Sequence, residues 1–515
     1  MTHTKSVSAG SVAALALGLV LGSGLAPTAA AATRPAQSGS TVVSTTHGTV
    51  RGSTDGQVRS FQGIPYAAPP VGERRWRAPG PAADWTGVRA ATAPGPACAQ
   101  PQGLPIGVPS ESEDCLYLNV TTPAGADGER PVIVWIHGGS LMYGTGDLYG
   151  PERLAAEGAV VVSMNYRLGV MGFLSDPSLP GADGLGLQDQ QAALRWVREN
   201  AAAFGGDPRN VTVMGQSGGG YSVCDHLASP LSAGLFDRAV VQSAPCATGG
   251  SRTRAEAEAD AERVVAAVGC EKNTAPCMRK VPVATLLEAY GAFNEPRPVA
   301  GTKLLPLAPA QALRTGKFNR VPVLVGVNHD EERGRVLGEE LAPGAEPMKS
   351  EEYGPAVRER FGDRADAVLK RYPLSAFPSA GEALATVLTD AMWSVPALDT
   401  ARLLSQWTPT RMYEFSERDT PWFRGYPAPS FDQRAQHMAE LPYLFDLSLF
   451  TDIKDEQEPF RERMLRTWVG FAASGRTDWP AFRGERGYVQ SLSSQTWTRT
   501  DFTADHRYAF WKNLG

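Results

Sequence analysis

The sequence predicts an α/β fold: a large, mostly parallel sheet covered by helices on both faces, with further helices inserted around it. Three observations carry that prediction. Short runs of β-branched and aliphatic residues recur without polar alternation, stretches of helical period separate them, and the 515 residues contain no internal repeat. A strand buried on both faces needs apolar side chains at every position, whereas a half-exposed strand alternates.

From Pro65 to Pro109 the chain is rich in proline and glycine, which predicts long irregular connections. Pro131-Val-Ile-Val-Trp-Ile136 reads as a buried strand that stops at His137-Gly-Gly139. A helix-like stretch near Pro151 to Glu157 leads to a second strand, Ala159-Val-Val-Val-Ser163. Gln188 to Asn200 has helical spacing, with Ala192, Leu194, Trp196 and Val197 at its apolar positions. Val211-Thr-Val-Met214, Ala239-Val-Val-Gln242 and Val321-Pro-Val-Leu-Val325 continue the strand series. Residues from Ala255 to about Phe293, and from Glu351 to Trp407, read as mainly helical and cap or flank the sheet. One large domain, residues 41–515, is expected to hold all of this.

The first residues carry a different pattern. His3 and Lys5 precede an apolar run from about Val12 to Leu25, and small residues crowd Ala29 to Ala32. That order predicts a secretory signal peptide over residues 1–32, a flexible leader over 33–40 and an exported, extracellular product. The run is too short and too glycine-broken for a comfortable membrane span, and no later segment has eighteen uninterrupted apolar residues. A net charge of −5 without any Lys/Arg-rich run gives no sign of a nucleic-acid or anionic-membrane partner. Oligomeric state is not legible.

Six cysteines, an even number in an exported chain, favour disulfides, and the absence of a C-x-x-C pair leaves a structural zinc site without support. Cys98 and Cys115, and Cys270 and Cys277, are close enough to close local loops. Cys224 and Cys246 remain, either as a third bridge or as two buried thiols.

Gly215-Gln-Ser217-Gly-Gly219 follows Val211–Met214 directly and precedes a helix-like Tyr221–Leu227. A serine on a sharp strand-to-helix turn needs small neighbours on both sides, and the helix that follows points its positive end at the site. Chance matches to so short a pattern are common in a chain with 54 glycines; its place after a strand is what gives it weight. Ser217 is therefore the candidate nucleophile of an acyl-transfer enzyme with an α/β-hydrolase arrangement. A tetrahedral intermediate needs preorganised amide donors. The residue after the nucleophile, Gly218, supplies one, and the turn His137-Gly-Gly-Ser140 after an earlier strand supplies the others. His137 itself reads as a packing residue.

In this arrangement the acid and then the histidine follow the serine in the chain. Of seven histidines, that order removes His3, His47 and His137, and His226 lies in the nucleophile's own helix. The strand Val321–Val325 ends at Gly326-Val-Asn-His-Asp-Glu331, which offers Asp330 and Glu331 as acids and puts His329 too close to serve as their base. His437, in a polar loop entering an apolar segment, is preferred over His506 in the terminal tail.

With these residues assembled, the chain resembles the type-B carboxylesterase/cholinesterase family from about Gly48 to the end. Phe61-Gln-Gly-Ile-Pro-Tyr-Ala67 with Pro69-Pro-Val-Gly72, and Ser112-Glu-Asp-Cys-Leu-Tyr-Leu-Asn119, match its opening and its second signature. Asn165-Tyr-Arg-Leu-Gly169, Phe204-Gly-Gly-Asp-Pro208 and the Gly215–Gly219 turn follow in order. The resemblance implies Glu331 as the triad acid, His437 as the base, and Gly139, Ser140 and Gly218 as oxyanion donors. It also implies that Ser243 helps orient the acid, and it supports Cys98–Cys115 and Cys270–Cys277 as disulfides. No cofactor or metal is implied. The expected substrate is a small to medium carboxylic ester. Lipid, amide or thioester substrates, or an inactive binding protein that keeps the fold, are the alternatives.

Four positions depart from the family's pattern. Gln216 stands where the family's Gly-Glu-Ser-Ala-Gly has a carboxylate, and Glu332 stands where a glycine follows the acid. Ser140 replaces a residue more often Gly or Ala, and Ala300 one that is commonly Asp. The loop from Cys98 to Cys115 has no aromatic residue to bind a quaternary ammonium, which disfavours choline esters. Tyr143, Phe293, Trp422 and Phe423 are candidate pocket residues. Asn119 and Asn210 fit the glycosylation pattern but fall in expected buried strands.

Overall fold

The computed structural model describes residues 40–514, apart from 104–105, 126–127, 249–250, 292–295 and 343. The expected signal peptide, residues 33–39 of the expected leader, and Phe293 lie outside the described residues. In chain order the strands are β1 (Val42–Thr45), β2 (Gly48–Arg51), β3 (Ser53–Thr54), β4 (Val58–Pro65), β5 (Val88–Ala90), β6 (Tyr117–Pro123) and β7 (Arg130–Ile136). They continue as β8 (Val160–Met164), β9 (Gly206–Gln216), β10 (Arg238–Gln242), β11 (Val323–Asn328), β12 (Thr410–Phe415) and β13 (Val489–Leu492). β1, β2 and β5 make a small sheet; the other ten form the central one, in the order β13-β12-β11-β10-β9-β7-β8-β6-β4-β3.

Strands β7 to β13 are mutually parallel, while β6, β4 and β3 add antiparallel pairs at one side. The parallel strands are apolar at successive positions because both faces are covered. In β7, Val132, Val134 and Ile136 enter one core cluster, and Ile133 and Trp135 enter the other. β11 divides in the same way, with Val323 and Val325 on one face and Leu324 on the opposite one. Helices Leu185–Asn200 and Gly218–Ala228 cover the first face through Leu194, Val197, Val223 and Leu227. Helix Glu458–Ser474 covers the second through Met464, Leu465 and Trp468. Each such aliphatic side chain contributes about 1.5–3 kcal/mol by leaving water.

The predicted doubly covered, mostly parallel sheet is thus present, with shifted boundaries. The strand read at Val321–Val325 begins at Val323, because Pro322 has no N–H to give a ladder. It runs on through Gly326 to Asn328, pairing with Tyr413, Glu414 and Phe415 of β12. Gly326 is no break there: a Cβ would lie 1.8 Å from the Tyr413 ring, so only glycine lets that side chain cross the strand. The stretch after Ala255 holds helices Arg254–Ala267, Thr274–Met278 and Val283–Tyr290. The stretch after Glu351 holds four α-helices, two of which, Ala380–Thr389 and Val395–Ser405, are joined by a π-helical turn, Asp390–Ser394.

All six cysteines are paired, as Cys98–Cys115, Cys224–Cys246 and Cys270–Cys277. The possibility of buried thiols at Cys224 and Cys246 is therefore set aside. Their bridge joins the helix after Ser217 to the segment that follows β10. Among the described residues no helix is long and apolar enough to cross a membrane.

Candidate active site

Register places the chemistry. Ile136 of β7 pairs with Gly215 of β9, Gln216 with Gln242 of β10, and Gln242 with Gly326 of β11. The carboxyl ends of four neighbouring strands therefore lie along one edge, and the turns leaving them carry Gly139, Ser217, Ser243 and Glu331. Such an edge, next to the point where strand order reverses, is where open α/β sheets form their sites.

Ser217 stands between β9 and helix Gly218–Ala228 at φ 54° and ψ −122°, a left-handed region that costs a non-glycine residue about 1–3 kcal/mol. Its amide donates to Gln242 O at 2.9 Å, and its carbonyl accepts from Tyr221 N at 2.8 Å, so both sides of the turn are held. Gly219 is required by close approach: a Cβ would fall 2.0 Å from Ile136 O, so the helix start could not press onto the end of β7. Positive φ recurs at Gly139 (100°), Ser140 (55°), Leu141 (61°), Ser243 (47°) and Met438 (76°). Strain is concentrated on the segments that converge here.

Glu331 is fully buried and accepts two hydrogen bonds. Asn328 N donates to Oε1 at 2.9 Å, and His437 Nδ1 lies 2.5 Å from Oε2. The histidine segment is stitched to the acid's turn by His437 N→Glu331 O (3.1 Å) and Asp330 N→Ala435 O (3.0 Å). Behind them, Asn328 Nδ2 donates at 2.7 Å to both Gln436 O and Glu440 Oε2. Gln242 Nε2 reaches Glu440 Oε1 at 3.1 Å, while Gln242 O holds the Ser217 amide. One hydrogen-bonded chain thus connects the serine's backbone to the acid's neighbours.

Burial works against a charged imidazole at His437. The adjoining Glu331 carboxylate, with contributions from Glu440 and Glu332, outweighs it and raises the group above its ordinary range. Burial likewise raises Glu440. Among the described residues, the group that meets His437 Nε2 is the Gln216 carboxamide, whose Nε2 is 3.1 Å away. With Nδ1–H held by a carboxylate, the Nε2 lone pair is left for Gln216 or for a hydroxyl proton.

On the opposite side of Ser217, Ser140 N and Leu141 N each lie 3.0 Å from where a Cβ on Gly218 would be. Among the described residues, the Gly139 and Ser140 amides meet no acceptor, and Gly218 N, at the first position of its helix, has none within that helix. Gln100, buried in the Cys98–Cys115 loop, donates from Nε2 to Gly144 O and accepts from Gly144 N on Oε1, both at 2.9 Å. The disulfide loop thereby fastens the end of this turn.

Other predicted residues fall elsewhere. The Ser243 hydroxyl is buried, and among the described residues it has no hydrogen-bond partner; Asn328 N, not Ser243, meets Glu331. His137 stacks on Tyr166 at 4.4 Å, and burial lowers it to about 4. His226 is buried between Ser232 and Gln190 and is lowered to about 3. His506 lies between Asp390 Oδ1 and Glu414 Oε1, each at 2.6 Å, away from Ser217. Asp330 pairs with His329 and Arg333 rather than with His437. Tyr143 packs in the turn that follows β7, its amide on Gly139 O, while Trp422 and Phe423 pack on each other and Phe423 on Phe450. Asn119 and Asn210 use their side chains in internal hydrogen bonds. Trp393, whose ring lies 4.9 Å from that of His437, had no signal in the sequence: it sits within a helical stretch on the π-helical turn.

A model of the Carboxylesterase family matches residues 39–511. Para-nitrobenzyl esterase of Bacillus subtilis (strain 168) is 34% identical over 505 residues, spanning 92% of this chain and 99% of that protein. Fumonisin B1 esterase of Sphingopyxis macrogoltabida is 34% identical over 538 residues, spanning 95% and 92%. Cocaine esterase of Homo sapiens is 32% identical over 548 residues, spanning 98% and 95%. A solved structure of a PNB esterase superposes with a TM-score of 0.76 at 34% identity, covering 91% of this chain and 99% of that one.

Proposed function

The chain belongs to the carboxylesterase family and is a carboxylic ester hydrolase of α/β-hydrolase fold, and we propose that Ser217, His437 and Glu331 carry its reaction as nucleophile, general base and orienting acid. The observation that carries this reading is the 2.5 Å contact between His437 Nδ1 and Glu331 Oε2, made beside a serine held in a strained strand-to-helix turn. His437 Nε2 takes the Ser217 proton as Oγ attacks the ester carbonyl, and returns it to the departing alcohol. The amides of Gly139, Ser140 and Gly218 receive the oxyanion. Water, activated by the same imidazole, then attacks the acyl-enzyme, releasing the acid and restoring Ser217.

The substrates are small to medium carboxylic esters. Para-nitrobenzyl esters, the group in the name of the Bacillus subtilis relative, are the first to test. Residues 1–32 serve as a signal peptide and 41–515 as a single catalytic domain delivered outside the cell; three disulfides fit that destination.

A fluorophosphonate probe tests the chemistry. Covalent labelling of Ser217, lost in Ser217→Ala together with ester hydrolysis, is the expected result. Full activity in Ser217→Ala, or no labelling of folded protein, overturns the mechanism. Rates on p-nitrophenyl esters of increasing acyl length then define the substrate range.

A further inference from the structure

Two of the departures from the family's sequence pattern meet at the same imidazole. Gln216 approaches His437 Nε2, as described. The second is Glu332, where the family has glycine. Its side chain is buried, and its amide donates to Thr389 Oγ1 at 3.0 Å. One carboxylate oxygen accepts from Trp393 Nε1 at 2.6 Å, and the other accepts from Arg335 Nε. The indole so held lies against His437, ring centroids 4.9 Å apart and planes 46° to each other.

The backbone beneath Trp393 is unusual. Asp390–Ser394 is a π-helical turn between two α-helices, a local irregularity that recurs at functional sites. It is anchored at its first residue, where Asp390 accepts from Tyr372 Oη and pairs with His506 and Arg507. It is anchored again at Trp393 by Glu332. A turn pinned at both ends presents its indole in one place.

The Glu331 bond fixes one atom of the imidazole but leaves the ring free to tilt about it. A rigid aromatic wall on one side removes that freedom. It also offers a π face when the ring becomes imidazolium during each half-reaction.

We propose that Glu332, acting through Trp393, is a positioning residue for His437: the carboxylate fixes the indole, and the indole holds the imidazole with Nε2 towards Ser217. The inference rests on His437 being the general base. The charged groups that act on that imidazole are Glu331 and Glu332 on the acid's turn and Glu440 on its own segment. Arg335 pairs with Glu332, and Arg333 with Asp330 and Glu382.

The test compares Glu332→Gln, Glu332→Gly, Trp393→Phe, Trp393→Ala and His437→Ala. Each is measured by p-nitrophenyl butyrate hydrolysis from pH 5 to 9, with fluorophosphonate titration counting competent sites and thermal melting reporting folding. Glu332→Gln keeps an acceptor for the indole N–H but removes a charge that favours the imidazolium. The acid limb of kcat/KM therefore moves to lower pH. Glu332→Gly and Trp393→Ala lower kcat at the plateau by about tenfold or more with a smaller change in KM, the scale of a misplaced catalytic group. Trp393→Phe falls between them and the parent. If the Glu332 and Trp393 variants melt earlier yet keep the parental acid limb and plateau kcat, while His437→Ala is inactive, the pair is structural only and the inference fails alone. If His437→Ala keeps parental kcat, the assignment of the base fails and this inference with it.

Discussion

Gln216 Nε2 lies 3.1 Å from His437 Nε2, so the atom proposed to take the Ser217 proton rests against a neutral carboxamide. A substrate that seats Ser217 Oγ in line must displace that contact or share the lone pair with it. Catalytic hydrogen bonds are often loose in a resting site and tighten only with substrate bound. Replacing Gln216 with Glu would set a second carboxylate against an imidazole already raised by Glu331. The base works in its neutral form, so a higher proton affinity moves the acid limb of kcat/KM to higher pH. A pH–rate profile of Gln216→Glu on a neutral ester is expected to lose activity at pH 6 while keeping most of it at pH 8.5.

Glu331→Gln conserves size but removes the carboxylate that accepts from Nδ1 and supports the imidazolium. A loss of about 10⁴ in kcat is expected, the scale of an orienting carboxylate in serine hydrolases. The mutant should melt close to the parent, since Asn328 N can still donate to an amide oxygen. Stopped-flow measurement of the acylation burst would locate the loss in acylation.

His506 supplies a stability prediction with a defined sign. Burial disfavours its charge, but hydrogen bonds and attraction from Asp390 and Glu414 prevail and lift it to about 10, above its ordinary 6.5. His329, whose ring is 5.2 Å away, and Arg507, paired with Asp390, complete the charged surroundings. A group raised on folding adds stability that is fully present below the unfolded value and is lost as pH climbs through the folded one. Melting temperature should therefore decline from about pH 7 to pH 10 in the parent. His506→Gln removes the cation shared by two buried carboxylates, of which only Asp390 keeps another in Arg507, and should cost about 3–5 kcal/mol near neutrality and much less at pH 10.

Gln100 makes a prediction outside the triad. Its carboxamide bonds both backbone groups of Gly144 and also Cys98 O and Val108 N. Gln100→Ala would leave buried backbone groups unpaired, at about 1–3 kcal/mol. The turn carrying Gly139 and Ser140 would then loosen, and kcat is expected to fall about tenfold, a fraction of what removing an oxyanion donor outright removes. Denaturant melts and steady-state kinetics on the same preparation read both effects.

The central sheet was legible because parallel strands covered on both faces must be apolar at successive positions, as β7 and β8 are. Boundaries were less legible. Pro322 and Gly326 look like breaks, yet one marks a strand start and the other a crossing point for Tyr413. For the candidate site, motif and chain order placed Ser217 and His437 and left Asp330 and Glu331 open as the acid; the family resemblance pointed to Glu331, and the structure sets Glu331 and His437 in contact. Gln100 and Trp393 were invisible in advance. Each acts through a carboxamide or ring whose partner lies 44 positions away in the chain, and neither local period nor composition encodes that distance. Glu332 was noticed only as a missing glycine; its partner, 61 residues further on, supplies the meaning.

The three bridges join the first cysteine to the second, the third to the fourth and the fifth to the sixth, across 17, 22 and 7 residues. Of the fifteen ways to pair six thiols, this is the one reached by oxidising neighbours in the order they emerge. A chain fed amino end first into an oxidising compartment can close each loop before the next cysteine pair arrives. For the exported chain proposed above, maturation then needs an oxidant but little disulfide shuffling. A host that supplies oxidising power with no dedicated isomerase should already yield correctly linked protein.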